Sequence, residues 1–120
     1  HLKNGFIVIC DRFLDSTIAY QGYGLGMDIG FIKAVGNFAT LNIKPDLTIF
    51  LDLAVSSGLC HRKGNKDRIE KRSFAYHFRV HRGYLSLALK EPKRIKIVKV
   101  EKDKNLTQVQ VRELINKYAI

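Results

Sequence analysis

Asp11 and Arg12 stand side by side directly after an apolar run. A guanidinium in such a place offers a rigid fork of donors to a phosphate. Its acidic neighbour could orient that fork or help hold a metal-bound water, and as a bare dipeptide the two read equally well as a structural salt bridge. The residues that follow add weight: Phe13, then Ser16 and Thr17, then Ala19-Tyr20-Gln21-Gly22 form one compact polar and aromatic cluster. Gly22, Gly24 and Gly26 leave the chain free to turn away behind it. A second group of cations, Arg62, Lys63, Lys66 and Arg68, surrounds Gly64 in the polar stretch from His61 to Arg72. A mobile arm bearing such groups can meet the charge that develops on equatorial oxygens during phosphoryl transfer. Taken alone, the stretch reads as an ordinary solvated loop. Cys10 and Cys60 have no metal or redox spacing, and Cys10, inside an apolar run, reads as core.

The elements that must position these residues alternate between short β-branched runs and longer helical patterns. Phe6–Cys10 is continuously apolar, as in a strand covered on both faces. Ile29, Ile32, Val35, Phe38 and Leu41 recur at helical spacing from a cap at Asp28. Pro45-Asp46 leads into a strand over Leu47–Leu51, and a short helical segment follows. From Ser73 to Lys90 a helix carries Phe74, Phe78, Leu85 and Ala88 along one side, until Glu91-Pro92 ends it. Arg94–Val100 is the next strand. A last helix starts at Thr107, with Gln110 in the capping-box position. This order predicts an α/β fold with a parallel sheet, one that is thin for its class.

A chain of 120 residues has room for a single core, so residues 1–120 read as one domain. Its net charge of +10 implies an anionic partner, with solvated surface charge as the bland alternative. The longest apolar runs are far too short to cross a bilayer, which argues against a membrane. The positive charge gathers near 61–72 and toward the C-terminus without a stacking aromatic series, which argues against nucleic acid. Two unpaired thiols suit a reducing cytoplasm. The chain opens on His1 with a strand pattern almost at once, as a chain does when its front has been removed.

Asp11 to Met27, with its Asp-Arg-Phe, Ser16 and Ala-Tyr-Gln-Gly, resembles the bacterial thymidylate kinases without a gap. The likeness continues at Pro45-Asp46-Leu47-Thr48, Leu51-Asp52-Leu53, Asp67-Arg68-Ile69-Glu70, Phe74, Phe78-Arg79-Val80 and Gly83-Tyr84-Leu85, over roughly residues 5 to 100. The resemblance implies part of a P-loop kinase three-layer sandwich and an ATP:dTMP phosphotransferase that uses Mg2+ and works as a homodimer. It assigns Arg12 to the dTMP phosphate and Asp11 to the transfer centre. Ser16, Thr17 and Gln21 fall around thymine and sugar, and Tyr20 under the deoxyribose, where a 2′-hydroxyl would clash. Residues 61–72 become the lid, with Arg62 and Lys63 toward ATP. The run Leu59-Cys60-His61-Arg62 departs from the Arg-rich run usual there, which leaves Arg62 and Arg68 both open as the catalytic arginine.

No Gly-x-x-x-x-Gly-Lys-(Ser/Thr) occurs in the sequence, so the backbone cradle for ATP phosphates is not among these residues. By this reading the chain is the C-terminal portion of such an enzyme, without the N-terminal strands and P-loop, and inactive alone. The rivals are a non-catalytic remnant, a small basic nucleic-acid-binding protein and another nucleotide kinase; Ala19-Tyr20-Gln21-Gly22 speaks for the thymidylate branch. One geometric expectation follows from the family arrangement. Phe6–Cys10 and Leu47–Leu51 should share no ladder, because another strand lies between them there, while Leu47–Leu51 pairs in parallel with Ile95–Val100.

Overall fold

The computed structural model describes residues 1–60, 64, 67–68 and 71–118, the side chains of Leu59 and Cys60 excepted. After a 3-10 turn at Leu2–Asn4 come helix α1 (Leu14–Thr17), a π-helix (Ile18–Gly24) that continues it, and α2 (Ile29–Ala39). Strand β1 (Thr48–Asp52), α3 (Val55–Cys60), α4 (Phe74–Lys90), β2 (Ile95–Lys99) and α5 (Lys104–Tyr118) complete the order. The α/β class holds, and β1 and β2 pair in parallel with Thr48 opposite Ile95 and Asp52 opposite Lys99. Phe6–Cys10 forms no ladder with β1.

That same segment corrects the strand expected there. Phe6, Ile7, Val8 and Ile9 are exposed and belong to no strand, and Cys10 is an exposed free thiol rather than core. A strand exists only by pairing its backbone with a neighbour, and among the described residues none lies beside it.

Local signals set several ends correctly. The Asp28 carboxylate accepts from the Phe31 backbone N–H at 2.6 Å and caps α2. The Ser73 hydroxyl accepts from Tyr76 N–H at 3.3 Å and caps α4. The last helix starts earlier than Thr107: Asp103 accepts from Asn105 N–H, while the Thr107 hydroxyl accepts from Glu101 N–H, both at 2.9 Å. Of the expected α2 stripe only Ile32 is buried, with Ile29 packed against the core; Val35, Phe38 and Leu41 are exposed.

Of the side expected for helix α4, Ala88 is buried and Leu85 half-buried, while Phe74 and Phe78 are not core. Tyr76, Val80, Gly83, Leu87 and Ala88 point inward, and Phe74 and Phe78 stack on one another in solvent. The face is chosen by close backbone approach to the π-helix. A Cβ on Gly24 would lie 2.7 Å from the Tyr76 ring, and one on Gly83 would lie 2.8 Å from Tyr23. No other residue lets these two helices come so near. The core divides around this contact into Ile18, Ile32, Leu87, Ala88 and Ile95 on one side and Ala19, Tyr76 and Val80 on the other. Burying each of the large side chains stabilises the fold by about 1.5–3 kcal/mol.

Candidate active site

Arg12 has a left-handed backbone, φ 70, a conformation that costs a non-glycine residue about 1–3 kcal/mol. Its side chain lies back over Tyr20: the guanidinium carbon is 4.8 Å from the ring centroid, and Nη2 donates to the Tyr20 hydroxyl at 3.2 Å. Cation and ring attract through the ring quadrupole. Asp11 is exposed and makes no ion pair among the described residues. Tyr20, and not Asp11, therefore orients the arginine.

Tyr20 is itself walled in. Its ring meets Tyr76 and Tyr84 edge-on at 6.4 and 6.3 Å, and Tyr84 stacks on Phe50 of β1 at 4.6 Å. Burial pushes the Tyr84 phenol above its ordinary range, with the Ser16 side chain opposing. Arg72 lies over the Tyr76 ring at 5.0 Å, so the contacting tyrosines Tyr76 and Tyr20 each carry a guanidinium. The widened turn of the π-helix, in which Leu25 N–H donates to Tyr20 C=O at 3.1 Å, sets the aim of these rings. Arg79 fixes the helix end by donating from Nε and Nη2 to Gly24 C=O at 3.0 and 2.9 Å.

The remaining expected residues separate onto two faces. Ser16 is buried on the α4 side, beneath Tyr84. Thr17 and Gln21, one turn apart, line a largely apolar groove of about 280 Å3 against α2, with Phe13, Phe31 and Val35. Arg68 is exposed, and Arg62, Lys63 and Lys66 lie outside the described residues.

Two polar clusters escaped the sequence reading. At the end of β1, Asp52 meets His81 Nε2 of α4 at 2.6 Å. At the other end of the sheet, Arg94 holds both carboxylate oxygens of Asp15 at 2.7 Å. Arg94 also reaches Thr48 at 2.9 Å and Glu91 at 2.8 Å, and Lys44 meets Glu91 at 2.8 Å. These partners hold Glu91 down at about 2, Arg94 first and Lys44 after it, and Asp15 raises Arg94 above its ordinary range. The one signal in the sequence was a lone acid, Asp15, in the first turn of an otherwise uncharged helix.

Comparison with known proteins decides the family. The sequence model of the thymidylate kinase family matches residues 1–111. The chain belongs to the thymidylate kinase family. It is 46% identical over 116 residues to a thymidylate kinase of Trichodesmium erythraeum, covering 95% of this chain and 49% of that protein. It is 44% identical over 119 residues to the one of Gloeobacter violaceus, covering 96% and 56%. A crystal structure of thymidylate kinase from Ehrlichia chaffeensis superposes with a TM-score of 0.71 at 32% identity, over 96% of this chain and 53% of that one. The chain thus spans about half the length of the curated relatives it matches, and its two-stranded parallel sheet with helices is part of the P-loop kinase fold. Among the described residues no helix is long and apolar enough to cross a membrane.

Proposed function

We propose that this chain supplies the monophosphate side of an ATP:dTMP phosphotransferase that makes dTDP. The observation that carries the reading is Arg12 held over Tyr20 inside the family's Asp-Arg … Ala-Tyr-Gln-Gly motif. A dTMP phosphate oxygen attacks the γ-phosphorus of ATP, the bond to the β–γ bridging oxygen breaks, and ADP leaves with that electron pair. The transfer is mostly positioning and electrostatics. Arg12 grips the dTMP phosphate, with Tyr20 fixing the guanidinium and packing beneath the deoxyribose. Ser16 supports Tyr84 behind the tyrosine wall, whereas Thr17 and Gln21 line the separate groove against α2 and stand away from Tyr20. Arg62, Lys63 and Arg68, on the lid of residues 61–72, meet the ATP side.

Mg2+ is held as a rule by one or two carboxylates together with phosphate oxygens and water. Among the described residues no three acidic, histidine or cysteine side chains converge on one point. The exposed Asp11 carboxylate fits a shared site of that kind, through a bound water. When bound, the ion neutralises phosphate charge. The exposed α2 residues Phe31 and Phe38, 62% and 85% accessible, are the surface for the second copy of the homodimer.

The test is a nucleotide panel. With ATP and Mg2+, the full-length protein should convert dTMP to dTDP well ahead of dCMP, dGMP and AMP. A preference for another monophosphate would replace this reading.

A further inference from the structure

Arg94 is an unusual arginine because nothing of it is left over for a ligand. Nε donates to Glu91, Nη1 to Asp15 and Thr48, and Nη2 to Asp15 and Glu91, at 2.7–3.2 Å. That uses all five of its N–H groups. Its side chain and that of Asp15 are 11% and 12% exposed. The Thr48 hydroxyl closes the ring by donating to Asp15 at 3.0 Å. Thr48 opens β1 and Arg94 immediately precedes β2, so the ring sits at the amino ends of the strands. Ligands of open α/β sheets bind beyond the carboxyl ends. The cluster therefore touches no substrate, yet it grips the helix that carries the substrate residues. Asp15 lies in α1 directly before Ser16, its carbonyl accepts from Ile18 N–H, and the helix runs on unbroken into the π-helix bearing Tyr20.

We infer that Arg94 and Asp15 are a positioning pair: the doubly forked clamp fixes the depth and rotation of the helix that presents Ser16 and Tyr20, and through Tyr20 the aim of Arg12. The inference rests on the nucleotide-site reading of Tyr20 given above. A fork that binds two carboxylates at once sets angles as well as distance, which a point charge does not. Lysine at the position keeps the charge and loses the geometry. Removing the arginine altogether would strand a buried carboxylate and endanger folding.

The experiment uses Arg94→Lys and, in parallel, Asp15→Asn, in the full-length protein with 13C-labelled tyrosine rings. The Tyr20 signal is assigned by its loss in Tyr20→Phe, and the α5 residue Tyr118 serves as the reference ring. The expected result is a displaced Tyr20 signal with Tyr118 in place. Alongside it, the ratio of kcat/KM for dTMP over 5-methyluridine monophosphate should fall about tenfold, since a misplacement of an ångström costs up to about 100-fold. A folded variant with Tyr20 at its wild-type position overturns the inference. Tyr20 and Tyr118 moving alike overturns it too, because that marks general loosening. A wild-type protein that ignores dTMP would instead sink the function, and the Tyr20 signal would still decide the positioning.

Discussion

The Arg12 guanidinium rests 4.8 Å from the centre of the Tyr20 ring and donates to its hydroxyl at 3.2 Å. One contact thus couples the group proposed to grip a phosphate to the group proposed to read a sugar. A flat cation stacked on a ring loses little further freedom when it binds an anion, which favours the planar phosphate fork. The same contact makes the two residues hard to change independently.

Tyr20 should set the preference for deoxyribose. In the full-length enzyme, Tyr20→Ala should admit 5-methyluridine monophosphate and shrink the deoxy/ribo ratio of specificity constants by about tenfold, even as overall activity falls. A ratio that stays put would leave Tyr20 as packing between Tyr76 and Tyr84.

Gly24 should tolerate no side chain. Alanine there would place a Cβ 2.7 Å from Tyr76 and 2.8 Å from Val80. Overpacking of this kind costs about 1–3 kcal/mol. Urea unfolding of Gly24→Ala should show the lower midpoint at unchanged m-value; an equal midpoint would mean the two helices separate freely.

The elements announced by local chemistry were the legible ones. Asp28 and Ser73 cap their helices through their own side chains, and β-branched runs named both strands that pair. Phe6–Cys10 was misread because apolar composition describes a strand's neighbours as much as the strand. On α4, Phe74 and Phe78 were misread as inward because Gly24 and Gly83, not the largest apolar residues, decide where the helices meet. The π-helix splits Ser16 and Tyr20 from Thr17 and Gln21, which the linear motif presents as one cluster. Asp15 and Arg94 are 79 residues apart, and no local pattern joins them.

Acid should weaken the fold through Glu91. Its folded pKa, held at about 2 against 4.5, means the contribution is complete above pH about 4.5 and is lost as pH falls toward 2. Thermal unfolding between pH 7 and 3 should show wild type losing more Tm than Glu91→Gln, whose side chain does not titrate. Parallel curves would show that Arg94 and Lys44 do not stabilise the carboxylate.

Residues 1–120 alone should not turn over. The sequence holds no phosphate-cradling Gly-x-x-x-x-Gly-Lys-(Ser/Thr) loop, and the cations of the proposed lid would supply only part of the ATP contacts. Formation of dTDP by the purified 120-residue chain, above a heat-killed control, would show that ATP is held in another way.

The most direct measurement is the affinity of the full-length enzyme for dTMP, by titration calorimetry, with Arg12 and with Arg12→Ala. Loss of a charge-assisted fork to a phosphate should cost about 1.5–3 kcal/mol, or roughly 10- to 150-fold in Kd, and turnover should fall with it. Unchanged affinity and turnover in a folded Arg12→Ala would contradict the account, because the arginine over Tyr20 would then not be the residue that holds the monophosphate.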